Sequence, residues 1–158
     1  MSRTTEYLKK KGIPFEAIAH DTAFTTIDEA RAIGIDAHQV VKTLLLDTKS
    51  GHRLVVIPGD RRLDMRLVEE TVGDHHAHLA TEQEIERDYP GFELGCLPPL
   101  GGLLDAPVFV DGEILRQETV VFAAGSQTEA VKARTEDVFG GGDVTVARLT
   151  LNGGEEYV

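Results

Sequence analysis

Apolar and polar positions change period several times along the chain. Ser2 to Gly12 predicts a short capped helix ended by glycine, and Pro14 forbids its continuation. Phe15, Ala17 and Ala19 then alternate with Glu16, Ile18 and His20, a period-two pattern that predicts a strand. Thr26-Ile-Asp-Glu29 matches a capping box, Ala30, Ala32 and Ile33 supply an apolar stripe, and Gly34 ends the helix. Val40-Val-Lys-Thr-Leu-Leu-Leu46 predicts a buried strand, joined through a hairpin loop over 48–52 to a second strand, Arg53-Leu-Val-Val-Ile57, that stops at Pro58-Gly59. An amphipathic helix follows from Leu63 to Val72, and Thr81-Glu-Gln-Glu84 opens another that must stop before Tyr89-Pro90-Gly91.

From Pro90 to Gly102 the chain holds four Gly and three Pro, which predicts a constrained loop. Val108-Phe-Val110, the turn Asp111-Gly112 and Glu113-Ile-Leu115 read as a hairpin. Thr119 to Ala124 predicts a buried strand, Ser126 to Glu129 a turn, and Val144 to Leu149 a last strand after three glycines. Many strands in irregular order with few long helices indicate an α+β fold rather than a doubly wound parallel sheet.

Composition narrows the class. At 158 residues and 41% hydrophobic content the chain suits one domain over residues 1–158, and neither a linker tract nor an internal repeat divides it. The absence of a long apolar run and of an apolar leader predicts a cytoplasmic protein with no membrane partner. Its single cysteine, Cys96, is compatible with a reducing compartment. A net charge of −11 has the wrong sign for general attraction to nucleic acid, so any RNA contact must be local. Lys9 to Lys11 and Arg61, Arg62 and Arg66 are the basic spots, and taken alone they read as solvated helix faces.

Lys42 is the most informative residue. Within its strand it shares a face with Val40, Leu44 and Leu46, while Val41, Thr43 and Leu45 form the other, so neither side is evidently solvated. Burial disfavours an ammonium unless it reaches a cleft, a carboxylate or an anionic ligand. The alternative is an edge lysine that reaches water. In Gly95-Cys-Leu-Pro-Pro99-Leu-Gly101, prolines fix the path and glycines let backbone amides approach a ligand, an arrangement suited to a tetrahedral oxyanion.

Val41-Lys42-Thr43-Leu44, Pro58-Gly59-Asp60 and Gly95-x-x-x-Pro99-Leu-Gly101 occur in the order seen in the YbaK/prolyl-tRNA-synthetase-associated editing family, which the chain resembles over nearly its whole length. The resemblance extends from His20, Thr25 and Thr26 through Glu29-Ala30 to Ala124-Gly125-Ser126. It implies a strongly curved, mostly antiparallel but mixed, barrel-like sheet flanked by helices, with the aminoacyl end of a mischarged tRNA in a central pocket. The implied activity is trans-editing deacylation, hydrolysis of the aminoacyl ester on substrates such as Cys-tRNA(Pro) or Ala-tRNA(Pro). Lys42 and Gly95 match the catalytic positions, with Lys42 engaging the 3′-terminal nucleotide. Thr43, Leu97, Pro99, Ala124, Gly125 and Ser126 are the implied substrate-binding set. Neither cofactor nor metal is implied, and the terminal ribose hydroxyl assists in place of a protein nucleophile. Partners would be the tRNA acceptor end and an aminoacyl-tRNA synthetase.

This chain departs from some relatives in carrying Ala123 and Ala124 before Gly125, and Ser126-Gln-Thr-Glu129 where others place histidines. Those positions bear on which amino acid is edited, since a methylene or hydroxyl changes binding by about 1–3 kcal/mol. Other readings stay open at this level. Cys96 can serve as a nucleophile if its thiolate is stabilised, and His75, His76 and His78 can hold a metal, though without standard zinc spacing. A non-catalytic tRNA-, nucleotide- or synthetase-binding module of the same fold is the alternative to an enzyme.

Overall fold

The computed structural model describes residues 2–151. Helix α1 (Arg3–Lys10) starts where the Ser2 side chain accepts the Thr5 amide, and lysines occupy its last turn, where they favour the negative end of the helix dipole. Strand β1 (Phe15–Ala19) leads to α2 (Thr26–Ile33), which Gly34 closes in the left-handed conformation. Strands β2 (Val41–Thr48) and β3 (Gly51–Pro58) form the predicted hairpin. After them come α3 (Met65–Val72), β4 (His78–Leu79) and α4 (Glu82–Asp88), the last with the Thr81–Glu84 capping box in place. A short α5 (Gly101–Leu104) precedes β5 (Val108–Asp111), β6 (Thr119–Ser126), β7 (Glu129–Arg134), α6 (Thr135–Phe139) and β8 (Val144–Ala147). No helix among the described residues is long and apolar enough to cross a membrane.

The fold is α+β, with the strands in two sheets. One has the order β4-β2-β3-β5-β8, antiparallel through β4, β2 and β3 and parallel from β3 to β5 and β8. The other is antiparallel, β1-β7-β6. Between them, among the described residues, lies a single parallel bridge, Val40 to Val121. The resemblance implied a barrel-like sheet; among the described residues the pairing gives two sheets that do not close.

Two further expectations are corrected. Residues 113–115 do not return as a strand: residues 114–116 form a 3-10 turn, and β5 pairs with β3 and β8 instead. The buried Asp111 carboxylate drives this, accepting the amides of Glu113 and Leu149 and the hydroxyl of Thr150, so the chain turns about an acceptor rather than forming a two-residue hairpin. The turn after Ser126 is brief, and β7, which the pattern did not predict, pairs with both β6 and β1.

Strand alternation sorts the core. Val41, Leu45, Leu54, Val56 and Val110 face Val120, Phe122 and Val131 of the smaller sheet, with Leu8 of α1 closing one side. Leu46, Val55 and Ile57 on the reverse face pack under Val68 of α3 and Leu149. Ala30, Val40, Val121 and Ala130 form a third cluster that fastens α2 to both sheets. Each fully buried Val or Leu contributes about 1.5–3 kcal/mol, so a few such residues hold α2 firmly where the sheets meet. Gly59 belongs to the same junction: a side chain there would strike Thr26 and come within 2.8 Å of the Ala37 and Val40 carbonyls. Its neighbour Asp60 accepts from His38 Nδ1 at 2.7 Å.

Candidate active site

Where the two sheets diverge, a narrow cleft opens between β2, β6, α2 and the glycine/proline loop. It is lined by Val41 and Thr43 of β2, Ala123 of β6, the segment from Ala23 to Thr26, Glu29, and Gly95, Cys96 and Leu97. Its free volume is about 10 Å3, enough for about one water.

The walls are held by backbone bonds. Residues 20–23 are tied to the β6–β7 turn, with the His20 amide donating to Thr128 O and the Ala23 amide to Gln127 O, both at 2.9 Å. The glycine/proline loop is tied to the end of β6, where the Glu93 amide donates to Gly125 O at 2.8 Å. Gly95 itself has φ +77°, a left-handed conformation that suits glycine and would strain another residue. The amides of Gly95 and Leu97 have no acceptor among the described residues, whereas the Cys96 amide donates to Glu93 O. Phe24 stands at the mouth, 68% exposed.

Polar groups inside the cleft were only partly legible in the sequence. Thr43 is 8% exposed and its Oγ1 is buried with no hydrogen-bond partner among the described residues. Glu29 is 6% exposed. The sequence assigned it to a capping box with Thr26, but the cap is Thr25, whose hydroxyl accepts the Asp28 amide at 3.0 Å. That shift of one residue frees Glu29 to turn inward, where burial pushes its carboxyl above the usual range despite His20. His20, whose side chain is also buried, has Nδ1 2.7 Å from the Asp21 carbonyl and so donates there. Its Nε2 lies 3.3 Å from Glu29 Oε2, outside hydrogen-bond geometry.

The remaining predicted residues separate into several places. Lys42 is exposed, and because Val41 and Thr43 line the cleft its side chain leaves from the opposite face of β2; the expectation of a lysine buried between apolar faces is corrected. Lys42 makes no ion pair among the described residues. Pro99 lines a separate cavity of about 460 Å3 with Tyr7, Leu100 and Gly101. Ala124 faces the main core, its carbonyl accepting from the Thr4 hydroxyl at 2.9 Å, so Ala123 takes the place on the cleft. Gly125, at φ +101°, lies under the Phe92 ring, and Ser126 is half-buried in the turn beside Thr128. Burial, reinforced by Glu29 and Glu93, pushes the Cys96 thiol up to about 12, which leaves no thiolate for nucleophilic attack near neutral pH. Among His75, His76 and His78, only His78 joins a group of possible ligands, with Asp47 and Glu84, whose ligand atoms lie within 4.8 Å of one another.

A family model described as the aminoacyl-tRNA editing domain matches residues 20–139, which include every residue lining the cleft. The chain belongs to this editing-domain family. The editing domain is 28% identical over 85 residues to a proline–tRNA ligase of Thermosipho melanesiensis, covering 53% of this chain and 15% of the ligase. It thus spans about one seventh of the length of that relative. It is 23% identical over 110 residues to a candidate Cys-tRNA(Pro)/Cys-tRNA(Cys) deacylase, EbsC, of Enterococcus faecalis, covering 69% of this chain and 66% of EbsC. A crystal structure of a candidate trans-editing enzyme for prolyl tRNA synthetase superposes with a TM-score of 0.84 at 25% identity, over 95% of this chain and 96% of the other.

Proposed function

We propose that this chain, as a single editing domain over residues 1–158, is a deacylase acting in trans on mischarged tRNA of the Cys-tRNA(Pro) or Ala-tRNA(Pro) type. The observation that carries the reading is the pair of amides at Gly95 and Leu97, without acceptors among the described residues, on a cleft whose cysteine is held as the thiol. Donors fixed before the reaction stabilise a developing oxyanion at no reorganisation cost, and an activated ester needs little more than that and positioning. Water adds to the carbonyl carbon, the oxyanion meets the amides, the bond to the ribose oxygen breaks, and that oxygen takes the proton. Relatives carrying deacylase and proline–tRNA ligase names support tRNA as substrate and a synthetase as partner.

Lys42 fits a contact outside the cleft. An exposed ammonium on the strand that forms the wall suits a phosphate of the terminal nucleotides, and in a chain of net charge −11 such a local cation matters more than the overall field. Thr43 and Leu97 serve as walls for the aminoacyl group, Pro99 stiffens the loop, and Ala124, Gly125 and Ser126 hold the end of β6 that anchors it.

The test is a deacylation panel across misacylated tRNAs, with the native chain and Lys42→Ala side by side. Release of alanine or cysteine from tRNA(Pro) is expected. Losing one charged hydrogen bond, worth about 1.5–3 kcal/mol, lowers the rate at sub-saturating tRNA by about ten-fold or more in a variant that melts normally. Failure to release any amino acid refutes the enzyme, and binding of tRNA without release assigns the chain to a non-catalytic module.

A further inference from the structure

We infer that Glu29, with the Thr43 hydroxyl beside the same cleft, is the receptor for the α-ammonium group of the aminoacyl moiety. The inference rests on the deacylase reading for its substrate, though its test separates the two. Glu29 is a carboxylate more than nine-tenths buried, on a helix held in place by Ala30 against Val40 and Val121. It makes no helix cap, because Thr25 does that work. His20 Nε2 lies 3.3 Å from Oε2 without hydrogen-bond geometry, and a carboxylate has more acceptor sites than this one neighbour can fill, so capacity remains toward the cleft.

Thr43 Oγ1 is buried and unpartnered on the same cleft. A buried hydroxyl with no partner among the described residues, beside a buried carboxylate, is costly to keep unless a ligand completes it. The space itself discriminates among ligands. A narrow cleft admits a compact ammonium more readily than a bulkier second carboxylate. Sign agrees with size: burial disfavours the Glu29 carboxylate, and an arriving cation restores what desolvation removed. Ala23, Val41, Ala123 and Leu97 complete the lining around these polar groups. Glu29 would thus fix the ester by its amino end, turning its carbonyl toward Gly95 and Leu97.

The deciding experiment compares two uncleavable probes by calorimetric titration, 3′-alanylamino-3′-deoxyadenosine and its lactyl counterpart, in which a hydroxyl replaces the ammonium with no added bulk. The native chain is expected to bind the alanyl probe about ten-fold or more tightly, and Glu29→Gln to lose that preference. Equal affinity of the native chain for the two probes overturns the proposal, as does a Glu29→Gln variant that keeps the preference. Should that variant fail to fold, the native comparison alone still decides. In parallel, Ala-tRNA(Pro) and its deaminated lactyl form report on hydrolysis. Hydrolysis of both at one rate sinks the ammonium receptor and leaves the deacylase standing, whereas a probe preference without any hydrolysis does the reverse.

Discussion

Replacing Thr43 by Val should make the protein more stable and less able to handle its substrate. The substitution keeps the branched shape on β2 and removes a hydroxyl that is buried with no partner. Leaving such a group unsatisfied costs about 1–3 kcal/mol. The cleft has room for one water, which offsets part of that cost, so a gain near the lower end, about 1 kcal/mol, is expected. For a chain of this length that raises the melting temperature by about 2–4 °C. Thr4→Val is the control. Its hydroxyl donates to the Ala124 carbonyl at 2.9 Å where the β6–β7 register is irregular, so deleting it orphans a buried acceptor and should cost about 1–3 kcal/mol. Thermal unfolding followed by circular dichroism measures both variants, and the deacylation panel measures the loss of turnover in Thr43→Val. A Thr43→Val protein that melts several degrees below the native one would show that the hydroxyl has a structural partner and that its place on the cleft is incidental.

Cys96→Ala should retain deacylation within about three-fold, the scatter expected when no reacting group is touched, and the native thiol should resist a disulfide reagent at pH 8 because burial and the neighbouring carboxylates keep it protonated. Rapid labelling of the folded chain, or an inactive folded Cys96→Ala, would restore cysteine chemistry. Asp88 is held down to about 2, first by the Arg87 guanidinium and then by His52, so its native ion pairs contribute stability above the ordinary carboxylate range and lose it as pH falls toward 2. Melting temperature measured from pH 5 down to pH 2 should therefore fall less steeply in Asp88→Asn than in the native chain, and parallel curves would refute the assignment.

The β2–β3 hairpin, the helix from Ser2 and the Thr81 capping box were legible in the sequence because each rests on neighbours a few residues apart. So was the irregular path of the glycine/proline loop, since prolines restrict their own backbone whatever surrounds them. The hairpin after Asp111 was misread because turn propensity does not register a carboxylate claimed by Leu149 and Thr150 from elsewhere in the chain. Which face of β2 meets the cleft was equally hidden. Alternation separates Lys42 from Thr43, but it is the approach of β6, α2 and the glycine/proline loop that turns one face into a site and leaves the other to solvent. Glu29 shows the limit most sharply: its spacing fits a helix cap, and only packing of α2 on the two sheets carries its charge indoors, because desolvation is a property of what surrounds a residue in space and not of its place in the chain.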